Sequence, residues 1–139
     1  VSTKKHNDAY KETKIKTASN GQIIVMLYDE AIRQIDIAVS YLKDNSLRYD
    51  KVHYSIMKAR DIITELAASL DIDNGGEFAS TLFSLYLWFN KRLLEGNLKK
   101  DYIPLQEVKE FLKEIRMAWA KVVPNTVIEE TEKGVNISS

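Results

Sequence analysis

The chain has no cysteine, only five glycines and two prolines, two histidines and no net charge. Each shortage removes a class of function. Without cysteine there are no disulfides, no thiolate metal sites and no thiol nucleophile. His6 and His53 stand alone, with no second histidine or Glu-x-x-His partner at helical spacing, so no metal site is expected. Twenty basic and twenty acidic residues cancel, which leaves no net charge to draw the protein to nucleic acid or to an anionic membrane. No apolar run is long enough to span a bilayer. The Lys4-Lys5-His6-Asn7 start has no apolar core of the kind a signal peptide needs, so a cytoplasmic setting is the expectation. Sparse glycine and proline favour long, uninterrupted helices.

What is present is helical and apolar. The 139 residues suit one domain with a single core, and 45% of them are hydrophobic. Ser19, followed by Gln22, forms a capping-box signature that opens a helix. That helix is predicted over 20–43, and Asn45-Ser46 breaks it. A second, over 50–70, carries Val52, Ile56, Ala59, Ile63, Leu66 and Leu70 at spacings of 4, 3, 4, 3, 4, a helical seam. A third is expected to start at Asn74 as N-cap with Glu77 at its third position, to present Ala79, Leu82, Tyr86, Phe89 and Leu93, and to close at Gly96-Asn97. A fourth runs from about 101, accepts Pro104 in its first turn, presents Leu105, Val108, Leu112, Ile115, Trp119 and Val122, and stops at Pro124. Short connections force neighbours to run antiparallel. The expected fold is therefore all-α, an antiparallel up-down-up-down four-helix bundle over 19–123. An N-terminal arm or short helix over 1–18 precedes it, and a flexible tail over 124–139 follows.

The four seams do not use all the apolar residues. The first helix has a second stripe at Val25, Ile32 and Val39 beside Tyr28; the third leaves Phe78, Leu85 and Trp88; the fourth leaves Phe111 and Ala118. The second helix adds Tyr49 and Ile62. A wide core explains any one of them, because each helix of a bundle touches two neighbours. For the set, an exposed groove that receives an amphipathic helix is the stronger reading. No catalytic motif competes with it. The Asp71-Ile72-Asp73-Asn74-Gly75 segment starts like an EF-hand loop but places Leu82 where a bidentate Glu is needed. Phosphate loops and nucleophile elbows are missing too, so neither an enzyme nor a cofactor is expected.

In order along the chain stand Ala9-Tyr10, Thr17-Ala18-Ser19, Met26-Leu27-Tyr28-Asp29, Lys58-Ala59-Arg60-Asp61-Ile62-Ile63, Glu65-Leu66, Ser69-Leu70-Asp71, Gly75-Gly76-Glu77, Leu85-Tyr86, Arg92-Leu93-Leu94, Asn97-Leu98 and Ile115-Arg116-x-Ala118-Trp119. Their order and spacing resemble the FliS family of flagellar secretion chaperones. Asn20 stands where the family commonly has proline, and either residue suits a helix start. The resemblance implies a helical bundle that binds the C-terminal segment of flagellin and keeps it from polymerising. It brings in the export-gate protein FlhA, the flagellin regulator FliW and the anti-sigma factor FlgM as family partners. Surplus apolar surface would also allow a homodimer when flagellin is absent.

By the same resemblance Tyr10 is the arm residue tied to flagellin binding, and the arm covers part of the apolar surface in its absence. Ile15, from its apolar character and not from the resemblance, is expected to be the arm's other anchor; Thr17 and Ala18 are expected to form its hinge, and Leu27, Tyr28 and Ile32 to line the groove on the first helix. The rival readings are a helical module for an unrelated partner and a ferritin-like enzyme. The second requires inward Glu and Glu-x-x-His sets that the seams lack.

Overall fold

The computed structural model describes residues 20–123. They form four helices: α1 (Asn20–Lys43), α2 (Tyr49–Ala68), α3 (Ile72–Lys99) and α4 (Tyr102–Val122). There is no strand among the described residues. Links at 44–48, 69–71 and 100–101 are too short for anything but antiparallel neighbours. Consecutive helices pack on one another, and α1 closes the ring against α4. The expected up-down-up-down four-helix bundle is the fold. The arm over 1–18, the Ser19 cap and the tail over 124–139 lie outside the described residues.

The seams fill the core as their spacing requires. Val52, Ile56, Ala59 and Ile63 of α2 are fully buried, as are Phe89 and Leu93 of α3 and Leu105, Val108 and Leu112 of α4. From α1 come Tyr28, Ala31, Ile35 and Ala38. Across the diagonal the hydroxyls of Tyr28 and Tyr86 hydrogen-bond to each other, so two large polar-tipped rings share the centre without leaving an oxygen unpaired. Polar contacts between helices set the register. Asp29 accepts from Arg116 at 2.8 Å and Asp36 from Lys109 at 2.8 Å, tying α1 to α4. The Asn97 amide meets His53 Nδ1 at 2.8 Å, and Asn90 donates to Thr64 at 3.0 Å, tying α3 to α2.

Helix ends agree with expectation for α1 and differ for α3. Asn45 takes φ 55°, and the amide of Ser46 reaches back to the Tyr41 carbonyl at 3.0 Å, the left-handed close of a helix. α3 begins earlier than expected: Asp71, not Asn74, is the cap, and its carboxylate accepts from the Asn74 backbone amide at 3.2 Å and from the Asn74 side chain at 2.9 Å. This first turn is then interrupted at Gly76, where φ 60° and ψ −146° are open only to glycine. The far end also differs, for Gly96 does not stop α3. It lies buried inside the helix, where a β-carbon would come within 2.7 Å of Leu105 Cδ2. The left-handed closing position falls to Lys100 (φ 50°), with the Asp101 amide bonded to the Gly96 carbonyl at 3.0 Å. Gly96 was legible as a stop because glycine usually supplies that conformation; here its missing side chain serves a close helix approach instead.

Candidate functional site

α3 and α4 meet tightly at one end. Leu105 seats on Gly96, and Arg92, paired with Glu95 of its own helix at 2.7 Å, reaches Glu107 across the joint, also at 2.7 Å. Halfway along, an aromatic layer spans the two helices. Trp88 and Phe111 stand edge to face at 5.6 Å between ring centres, and Phe89 lies 6.0 Å from Phe111. Beyond that layer the helices part.

The gap is a groove of about 600 Å³, lined by Phe78, Thr81, Leu82 and Leu85 of α3 and by Glu114, Ile115, Ala118, Trp119 and Val122 of α4. Apart from Thr81 and Glu114, every side chain in it is apolar. Phe78 is 68% exposed and Val122 71%, large apolar groups that the described fold leaves in water. A second hollow of about 260 Å³ shares Phe78 and Trp119 with the groove and runs under the end of the bundle to Ile24, Leu66 and Leu70. The start of α1 abuts the end of α4 here, since a β-carbon on Gly21 would meet Val123 at 2.8 Å.

At the groove's α3 side the backbone leaves the helical conformation at Gly76, two residues before Phe78, which sets the first turn of α3 off from the helix that follows. On α4 the apolar spacing continues through Ile115, Trp119 and Val122, but burial fades along it: Leu112 is fully buried, Ile115 and Trp119 are half-buried, and Val122 is exposed. The floor is held from below. The Trp119 indole lies close to the buried Tyr28 hydroxyl, which hydrogen-bonds that of Tyr86. Burial first, and then the Tyr86 hydrogen bond, push the Tyr28 phenol well above its ordinary range; Trp119 acts in the opposite sense. Burial likewise pushes Tyr86 up. Both remain neutral at any physiological pH.

The expected site residues fall in three places. Tyr10, Ile15, Thr17 and Ala18 lie outside the described residues. Leu27 and Ile32 are half-buried and pack against the core, and neither lines the groove. Tyr28 is fully buried, with no surface to offer, and its hydroxyl pairs with that of Tyr86. The second stripe on α1 is therefore used within the bundle. Val39 is 5% exposed, and Ile32 lies on the stripe between Asp29 and Asp36, the residues paired with α4. The walls come from the surplus residues Phe78, Leu85 and Ala118, joined by Ile115, Trp119 and Val122 from what reads in sequence as core seam. The available signal was the pairing of a seam that runs to the end of α4 with a surplus at the start of α3. Among the described residues no cluster of His, Asp or Glu could hold a metal ion. No described helix is long and apolar enough to cross a membrane.

Comparison with known proteins agrees with this architecture. The family described as "Flagellar protein FliS" matches residues 2–126. The flagellar secretion chaperone FliS of Salmonella typhimurium is 33% identical over 121 residues, covering 86% of this chain and 88% of that protein. Its counterpart in Escherichia coli is 32% identical over 109 residues, covering 78% and 79%. That of Bacillus subtilis is 25% identical over 115 residues, covering 83% and 84%. These relatives are named as chaperones, a non-enzymatic role. A bundle matched over nearly its whole length by that family, and by relatives that it covers almost end to end, belongs to the FliS family of flagellar secretion chaperones.

Proposed function

We propose that this protein is a cytoplasmic, flagellin-specific export chaperone that holds the C-terminal segment of flagellin on its apolar surface until delivery to the flagellar type III export apparatus. The observation that carries the reading is the groove between α3 and α4, which is long, nearly all apolar and uncovered by any described residue. A flagellin segment made to pack on its neighbours in a filament is aggregation-prone as a free chain. An apolar groove offers it a substitute partner, and polymerisation must then overcome the binding free energy. Ordering a disordered segment costs roughly 2–5 kcal/mol of the gross interaction. The net affinity expected is on the order of micromolar or better, about −8 kcal/mol, tight enough to hold and weak enough to release.

In this reading residues 1–18 are an arm that carries Tyr10 and Ile15, hinges at Thr17 and Ala18, and lies over part of the apolar surface when flagellin is absent. The contact of Gly21 with Val123 supports it, because it brings the arm's attachment point to the open end of the groove. Residues 19–123 are the binding body and 124–139 a tail. Leu27 and Ile32 add a flank on α1, and Tyr28 packs beneath it in the core. The export gate FlhA receives the complex, FliW and FlgM are further partners, and an unliganded homodimer would use the same surface.

The test is isothermal titration with the C-terminal segment of flagellin from the same organism. One-to-one binding with a strongly negative heat-capacity change supports coupled folding onto an apolar surface. Tyr10→Ala should weaken that binding and leave the melting temperature unchanged. Absence of heat at several temperatures, together with failure to comigrate on a sizing column, would remove the chaperone reading.

A further inference from the structure

We infer that Glu114 sets the charge preference of the α3–α4 groove, which takes an amphipathic helix bearing a Lys or Arg beside its apolar face. The inference rests on the proposed function only in that a helical segment is the occupant. Glu114 is the one charged residue lining the groove, and it is exposed. Among the described residues its carboxylate has no hydrogen bond and no ion pair. The nearby bases of α4 are otherwise engaged: Lys113 lies 3.9 Å from Glu110, and Arg116 is held by Asp29 at 2.8 Å. Lys121 stands seven residues on, about 10 Å along the helix axis, too far to pair with it.

A partner helix laid against Leu85, Ile115 and Ala118 removes water from that carboxylate. Desolvating a carboxylate without a donor is costly, whereas a Lys or Arg placed opposite forms a charge-assisted hydrogen bond in surroundings drier than bulk water. An acidic side chain at the same place adds like-charge repulsion, which discriminates partners more strongly than attraction does. The apolar walls thus supply contact area, and Glu114 selects which amphipathic helix fits and in which register.

The experiment titrates the full chain with two designed amphipathic helical peptides that share one apolar face and differ only in a flanking Lys or Glu. The flagellin segment is run alongside. The Lys peptide should bind on the order of tenfold more tightly than the Glu peptide, Glu114→Gln should narrow the gap, and Glu114→Lys should invert it. Circular dichroism confirms that the variants, altered at an exposed position, keep their helices. Equal binding of the two peptides, binding of neither, or a preference unchanged in Glu114→Lys overturns the inference. So does a dimer of the chain on a sizing column that neither peptide dissociates. If the designed peptides sort by charge while the flagellin segment fails to bind, the charge preference stands and the flagellin reading falls.

Discussion

The two ends of the α3–α4 pair are built from the same kinds of residue and do opposite things. At the end near the 100–101 link, Gly96 admits Leu105, the Arg92–Glu107 bridge crosses the joint, and Leu93, Leu105 and Val108 have no exposed surface. At the other end Phe78, Leu85, Ile115, Trp119 and Val122 face one another across open space. Both ends contain glycine. At the closed end the glycine is helical and removes a side chain that would hold the helices apart. At the open end Gly76 leaves the helical conformation altogether and displaces the turn before Phe78. The difference shows that composition does not decide whether an apolar pair closes; the distance of approach does.

Four changes put that contrast to the test, beginning with the largest loss. Leu105→Ala removes a fully buried side chain from the closed end and should cost about 2–5 kcal/mol in urea denaturation. Gly76→Ala has open space around the new methyl group, so any loss comes from its backbone conformation alone. About 1–3 kcal/mol is expected, with Phe78 shifted and peptide binding altered as well. Unchanged stability would mean that the bend does not need glycine. Phe78→Ala, at 68% exposure, should change stability by no more than about 0.5 kcal/mol, whereas binding of the flagellin segment weakens by about tenfold or more. Equal losses in both assays would place Phe78 in the structural part of the bundle rather than in the groove wall.

The smallest effect under ordinary conditions is on pH dependence. Tyr28 and Tyr86 have folded-state pKa values raised above the ordinary 10.0. Their contribution is therefore fully present below about pH 10 and is lost as the pH rises further, because the unfolded phenols then ionise and the folded ones do not. Denaturation midpoints should hold steady up to that point and fall beyond it. The double variant Tyr28→Phe with Tyr86→Phe should fall less steeply. A decline that begins near neutrality would assign the loss to other groups.

The helices were legible because each core seam repeats at helical spacing and each end carries a cue that acts locally. Asn45 closes α1 through a conformation that its own neighbours determine, and Pro104 sits in a first turn where its missing amide is not needed. Misreadings arose where one residue type serves two purposes. Gly96 read as a helix stop but is a packing contact with Leu105, which lies across a turn and on another helix. Tyr28 was expected on the groove from the family resemblance, whereas its side chain is fully buried and its hydroxyl pairs with Tyr86 on the far side of the bundle. Ile115 and Trp119 read as core seam and do pack against the core, while their outer sides also line the groove.

Local periodicity, capping and short links are properties of residues close in the chain, and they determined by themselves that this protein is a four-helix bundle with more apolar surface than its core consumes. Where the surplus lies depends on how near two helices come, and that distance depends on contacts between residues far apart in sequence. The seat of Leu105 on Gly96 and the pairing of Tyr28 with Tyr86 are such contacts. Only the tertiary structure could put the groove between α3 and α4 and leave Glu114 at its edge without an ion pair among the described residues.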